Sequence, residues 1–265
     1  MSEPEPEAQE DLSEGTLISH LLELRNRLLK AALAIAIATV PCMIYANKIF
    51  EFVSRPIQAK LPKGSGLITT SLSATFVTPF KLAVWAGVFA AMPIVLYQLW
   101  AFIAPGLYRR EKRFAVPLLF SSVILFYGGV AFAYYAVFPV LFAFFITTAP
   151  QGVAVMADIS NYLDFVLTLF FSFGVAFEVP VATVLLVATG LVKMKTLTAN
   201  RGYVILAIAV IAAILTPPDA VSMCLMGGPM YLLYEFGIVM TRLLVKERDA
   251  HEEPADVDVE STGSK

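Results

Sequence analysis

The 265-residue chain is 58% hydrophobic and 15% charged, with a formal net charge of −2 and a mean hydropathy of +0.75. A soluble domain carries about 25% charged residues, and the deficit here is concentrated: no charge falls between Arg113 and Asp158, and only Glu178 between Asp164 and Lys193. Such runs exceed the ~20 apolar residues that cross a bilayer core, which excludes a water-soluble fold and indicates an all-α polytopic membrane protein.

In chain order, residues 1–15 form an acidic tail that includes Glu3, Glu5, Glu7, Glu10, Asp11 and Glu14. Its polarity predicts disorder, and the absence of a basic leader predicts that the first span is retained. Residues 16–245 are expected to form the membrane domain, and 246–265 a second disordered acidic tail. Leu17, Leu21, Leu24 and Leu28 recur at helical spacing, so an amphipathic helix leads into the first span, 28–46. Within it Glu23 and Arg27 stand at i and i+4, a pairing worth about 0.3–0.5 kcal/mol.

The link 47–81 is too long for a simple connection. With Pro56, Pro62, Gly64, Gly66 and Pro79, and apolar Ile49, Phe50, Phe52 and Val53 near its start, it is expected to be an ordered periplasmic cap. The second span is expected at 82–103. Residues 108–113 then read Y-R-R-E-K-R. Their four cations anchor the link to one side of the membrane, a task that does not need the carboxylate of Glu111.

The third apolar run begins near Phe114 and is too long for one crossing, so a break is expected around Pro139. The fourth span, 162–188, contains Glu178 in F-E-V-P-V. An ionisable group at that depth costs at least ~2.5 kcal/mol and usually faces a bundle interior or a wet cavity. The fifth, 203–215, covers roughly 20 Å against a hydrocarbon thickness of ~30 Å. It must thin the bilayer or recruit a partner helix. T-P-P-D follows, the prolines stopping the helix and Asp219 reading as the cap of the sixth span, 220–239.

Lys and Arg in short loops set orientation. Arg25, Arg27 and Lys30, the 108–113 link, then Lys193, Lys195 and Arg201, and finally Arg242, Lys246 and Arg248 fall on one face. The first external link is the exception, with Lys48, Arg55, Lys60, Lys63 and Lys81. The balance predicts six spans with both termini in the cytoplasm.

Cys42 and Cys224 stand apart inside apolar segments, as small core residues would, with no redox or metal-ligand spacing. The two histidines, His20 and His251, form no cluster, and no phosphate-binding loop or dinucleotide fingerprint occurs. No catalytic residue, cofactor, metal or nucleic-acid partner is expected. Energy would come from a partner or from the proton gradient. A proton-coupled small-solute transporter using Glu178 is one reading, although such proteins are usually built from inverted repeats and no convincing repeat is visible.

Five ordered motifs narrow the choice: H-L-L-E-L-R-N-R-L at 20–28, Y-Q-L-W-A-F-I-A-P-G-L-Y-R-R-E-K-R at 97–113, F-E-V-P-V at 177–181, L-T-P-P-D at 215–219 and P-M-Y-L-L-Y-E-F-G at 229–237. Together they resemble the TatC family, the core membrane subunit of the twin-arginine protein translocase. The resemblance implies a cup-shaped bundle of six helices, the fifth and sixth short, in the bacterial cytoplasmic membrane. It implies binding of signal peptides with adjacent arginines and export of folded proteins with TatA-like and TatB-like single-span partners, alongside contacts with membrane lipid and self-association. By motif, Glu23 and Glu111 would accept the arginine pair and Phe102 would line their site. Glu178 would act inside the membrane, and Pro56, Arg25, Asp219 and Glu235 would be structural or partner-contact positions. Neighbouring residues of an extended peptide point to opposite sides, which suits two carboxylates from separate segments. Each could form a bidentate, charge-assisted pair with a guanidinium that lysine cannot reproduce.

Overall fold

Inside hydrocarbon every amide must bond within its own segment, so long apolar runs can only be helical. The computed structural model describes residues 6–59, 66–103, 112–148, 156–215 and 220–251. Its helices are α1 (Pro6–Ile44), α2 (Ala46–Gln58), α3 (Leu72–Ile103), α4 (Lys112–Phe132), α5 (Phe138–Thr148), α6 (Ile159–Ala176), α7 (Val179–Ala188), α8 (Met194–Ala199), α9 (Arg201–Leu215) and α10 (Ala220–His251). Two short strands, β1 (Leu67–Ile68) and β2 (Ala157–Asp158), pair in parallel. Five stretches are long and apolar enough to cross a membrane: Ser19–Ile44, Leu72–Ile103, Val116–Thr148, Ile159–Ala188 and Ala220–Leu243. Arg201–Leu215 is a shorter apolar helix.

Several expectations are corrected. The third run does not break at Pro139. α4 passes into a π-helical turn, Ala133–Val137, and continues as α5. The widened turn relieves the clash between the Pro139 ring and the preceding turn, so the helix goes on. The sixth span is not short, because its 24-residue stretch reaches Leu243. α3 starts at Leu72 and takes in Pro79 and Lys81, and the described residues of the first link ahead of it include α2 and β1. α1 is described from Pro6 onward, a start that its Glu-rich composition permits. Cys42 is only half-buried and Cys224 is exposed, so neither is a core residue.

α1 packs along α3, α4 along α6, and α10 along α7 and α9. The main core lies where α6 meets the third span, around Val137, Phe138, Leu141, Leu163, Val166, Leu169 and Phe173. Small residues bring the outer helices close, as is usual where apolar burial gives no drive between spans. At the α1–α3 crossing, a Cβ on Gly87 would lie 2.2 Å from Thr39 Oγ1 and 2.8 Å from its Cα.

At one end of the bundle Asp158 acts as a double clasp. Its Oδ1 caps α6 by accepting from the amides of Ser160 and Asn161 at 2.9 and 3.1 Å. Its Oδ2 accepts from the Thr70 hydroxyl at 2.7 Å and the Thr70 amide at 3.0 Å. These bonds, the Thr70 hydroxyl first, hold the carboxyl down at about 2. Nearby, Lys81 Nζ donates to both oxygens of Asp164 at 2.6 and 2.9 Å. The link ahead of α3 is thus fastened to the start of α6.

Gly87→Ala should destabilise the α1–α3 pair by about 1–3 kcal/mol, read as a lower melting temperature in detergent. Gly202→Ala, where an added Cβ meets nothing within 4 Å, is the control, and equal melting temperatures would refute the close packing. Asp158 has a folded value below the ordinary ~3.9, so its clasp is fully present above pH ~4 and weakens as pH falls toward 2. Hydrogen exchange at the Thr70 amide, corrected for intrinsic rate, should rise through that window in the parent. It should be high and pH-independent in Asp158→Ala.

Candidate functional site

His20, Glu23 and Arg27 follow one another at i, i+3 and i+7 on α1, so they share a face. That face meets the last turn of α3, where the His20 ring stacks on Phe102 with centroids 4.5 Å apart and planes inclined by 28°. Two motifs separated by most of two spans are therefore joined. Arg27 Nε donates to Glu23 Oε1 at 3.0 Å, and its Nη2 reaches the same oxygen. Both donors fall on Oε1, while the Glu23 side chain keeps 37% of its surface exposed, leaving the carboxylate open to another cation. Arg25, exposed, lies two residues on, roughly 200° around the helix, and points away from this face. Glu111 and Asp219 lie outside the described residues.

Pro56 has a specific chemical effect. Lacking an amide proton, it leaves the carbonyl of Phe52 without its helical donor. Tyr134, in the π-helical turn, donates its hydroxyl to that carbonyl at 2.9 Å, and its ring stacks on Phe52 at 4.6 Å. Tyr162 adds a hydroxyl bond to the carbonyl of Val53 at 2.8 Å. The same device recurs in α3, where Pro93 frees the carbonyl of Phe89 and Tyr127 donates to it at 2.8 Å. Tyr127 and Tyr134, two helical turns apart, wall an apolar cavity of about 470 Å³ with Cys42, Phe52, Phe89 and Phe170.

Glu178 sits where the fourth span breaks between α6 and α7. Pro180 cannot donate to the carbonyl of Ala176, and the chain tightens so that the Glu178 amide bonds to Val175 at 3.0 Å. The Glu178 residue is half-buried, and its Oε1 is buried without a hydrogen-bond partner among the described residues. No group of three or more His, Cys, Asp or Glu side chains that could hold a metal occurs among the described residues.

The family model of the Sec-independent protein translocase protein TatC matches residues 19–229. The chain belongs to the TatC family. It is 50% identical to the TatC protein of Azotobacter chroococcum mcd 1 over 233 residues, 88% of this chain and 90% of that protein. It is 46% identical to TatC of Escherichia coli strain K12 over 245 residues, 92% and 95% of the two chains. A crystal structure of the twin-arginine translocase receptor TatC superposes with a TM-score of 0.78 at 35% identity, covering 85% of this chain and 99% of that one. A TatC protein is a multi-pass transport subunit of the twin-arginine translocase, not an enzyme.

Within this TatC chain the structure brings Glu23 and Phe102 to one end and leaves Pro56 and Glu178 elsewhere. Glu235 has a committed structural partner: Arg201 Nε and Nη2 bond its two oxygens at 2.7 and 2.9 Å, and Tyr231 donates to it at 2.8 Å. These bonds fasten the start of α9 to α10. Sequence reasoning missed Asp158, Tyr127 and Tyr134. Asp158 was visible as a capping residue ahead of the apolar run at 159. The tyrosines could have been sought as donors for the carbonyls that prolines free.

Glu235→Ala and Arg201→Ala should lower the melting temperature by similar amounts, and the double variant should be little worse than either. Fully additive losses would rule out the ion pair as the shared cause.

Proposed function

We propose that this chain is the signal-peptide receptor and scaffold subunit of a twin-arginine translocase that exports folded proteins using the proton gradient. It works in the bacterial cytoplasmic membrane, with both termini in the cytoplasm and the six spans forming a cup. TatA-like and TatB-like single-span proteins are its partners, and copies of the chain associate with one another. Membership of the family sets aside the small-solute transporter.

The observation that carries this reading is the His20–Phe102 stack. It puts the 20–28 motif against the turn from which the 104–113 link departs. Glu23 takes one guanidinium of the incoming pair, and Glu111, nine residues beyond Phe102 in sequence, takes the other. The signal peptide passes over the aromatic floor made by Phe102. Glu23 already holds a guanidinium, that of Arg27, so its environment is compatible with the proposed ligand. An i, i+4 helix pair is worth only about 0.3–0.5 kcal/mol, which an arginine from outside can displace. Twin lysines supply point charges with no bidentate fork, so they bind poorly. Pro56, Arg25, Asp219 and Glu235 serve as structural or partner-contact positions away from the arginine site, and the acidic tails at 1–15 and 246–265 flank the membrane domain.

Glu23→Ala and Glu111→Ala should each reduce photocrosslinking of a twin-arginine signal peptide to probes around residues 20–27 and 100–113, roughly tenfold for loss of one charge-assisted pair. A twin-lysine peptide should crosslink weakly to the parent protein. Undiminished crosslinking in both variants would reject the carboxylate clamp.

A further inference from the structure

The cavity walled by Tyr127 and Tyr134 holds about 470 Å³, within the roughly 300–1,000 Å³ of small-molecule sites. Phe52, Tyr127 and Tyr135 along it are exposed, so it opens onto the surface of the bundle. Two hydroxyls that could have made it polar are already spent. Tyr127 donates to the carbonyl of Phe89 and Tyr134 to that of Phe52. With Ala86, Ala131 and Phe170 adding to the lining, the walls offer an occupant almost only hydrocarbon.

The cavity also has a direction. Tyr134 and Phe52 meet at α2, the helix that starts where the first span ends. Tyr127, seven residues earlier, lies roughly 10 Å along the third span. It sits beside Phe89, about half-way along the 32 residues of α3. The space thus runs from α2 toward the middle of the bundle, the course of an acyl chain in one leaflet.

α2 supplies the headgroup level. Ile49, Phe52, Val53 and Ile57 gather on one side of it and Asn47, Glu51 and Gln58 on the other, the pattern of a helix lying in the membrane interface. Lys48 and Arg55 stand four residues before and three after Phe52, so both cations flank the residue at the edge of the cavity. Both are exposed. Arg55 has only a long, exposed pair with Glu51 at 3.4 Å. Lys48 has no carboxylate at ion-pair distance among the described residues, and its ammonium lies 5.6 Å from the centroid of the Tyr45 ring. Two cations against one acid leave this edge positive.

We propose that the cavity is a binding site for one anionic phospholipid, whose acyl chain fills the space between Phe52, Tyr134, Phe89 and Tyr127 while its phosphate sits on Lys48 and Arg55. A purely apolar guest, such as the hydrophobic segment of a peptide, would fill the cavity and leave both cations unanswered. An anionic headgroup is preferred to a zwitterionic one because it brings no ammonium to oppose Lys48.

The test uses the full-length chain in lipid nanodiscs, with Trp100→Phe leaving Trp85 as the single tryptophan of a chain that has two. Trp85 adjoins Ala86, and its ring lies 6.0 Å from that of Phe89, so bromine on a bound acyl chain quenches its fluorescence. In discs of phosphatidylcholine, brominated phosphatidylglycerol should quench with a relative affinity roughly fivefold above brominated phosphatidylcholine, the worth of one net positive charge at a lipid surface. Lys48→Ala and Arg55→Ala should each bring that preference close to parity. Glu51→Gln should raise it about fivefold further, a gain that lost packing does not produce. Ala131→Phe, which fills the cavity, should weaken quenching by both lipids, and Lys195→Ala, a cation elsewhere, should change nothing. Equal quenching by the two lipids in the parent, or a preference untouched by Lys48→Ala and Glu51→Gln, would overturn the proposal. So would relief of quenching, with anionic lipid in excess, by a synthetic apolar signal-peptide segment lacking arginines, which would assign the cavity to peptide instead.

Discussion

A carbonyl that loses its amide partner inside hydrocarbon has no water to turn to, and proline creates one four residues ahead of itself. This chain places prolines inside α1, α2, α3, α4 and α10, and another at the start of α7. One cross-span hydrogen bond answers that constraint within a span, and a second repeats the device in α2, ahead of the second span. The third span supplies Tyr127 for the carbonyl that Pro93 frees and Tyr134 for the one that Pro56 frees. Its own Pro139 is accommodated by a π-helical turn that keeps the helix continuous and carries Tyr134 toward α2. The prolines of α2 and α3 and the tyrosine hydroxyls of the third span are consequently one interlocked solution.

The same logic places the acid of the fourth span. Pro180 interrupts the helix at the residue where an ionisable side chain is least welcome, and Glu178 occupies the gap. The receptor end is built differently. There an aromatic stack joins two helix ends, and the charged groups remain partly exposed, so they can be exchanged for groups from a guest.

Spans and motifs were legible because charge is so scarce: a single Glu178 within a long apolar run is conspicuous. Glu23 and Phe102 were legible as parts of motifs, although only coordinates put His20 against Phe102. The continuous third span was not legible, since a proline after a long apolar run usually reads as a stop, and the π-helical turn that rescues it leaves no periodic signature. The extra length of the sixth span was missed because Thr241 and Arg242 look like a membrane boundary when hydropathy is read alone. The Asp158 clasp depends on Thr70, 88 residues away, a pairing that spacing cannot announce.

The tie between Arg201 and Glu235 gives the short α9 a fixed end. Its 15 residues rise through roughly 22 Å of a ~30 Å hydrocarbon layer, and an unrestrained helix could centre itself and share the deficit between both leaflets. Held at its first residue by a bidentate pair to α10, α9 cannot slide. In a bilayer the missing depth of roughly 8 Å would therefore fall on the leaflet at the far end of α9. The consequence would be a one-sided dent in the membrane, favouring lipids of shorter or more disordered chains along a single edge of the protein.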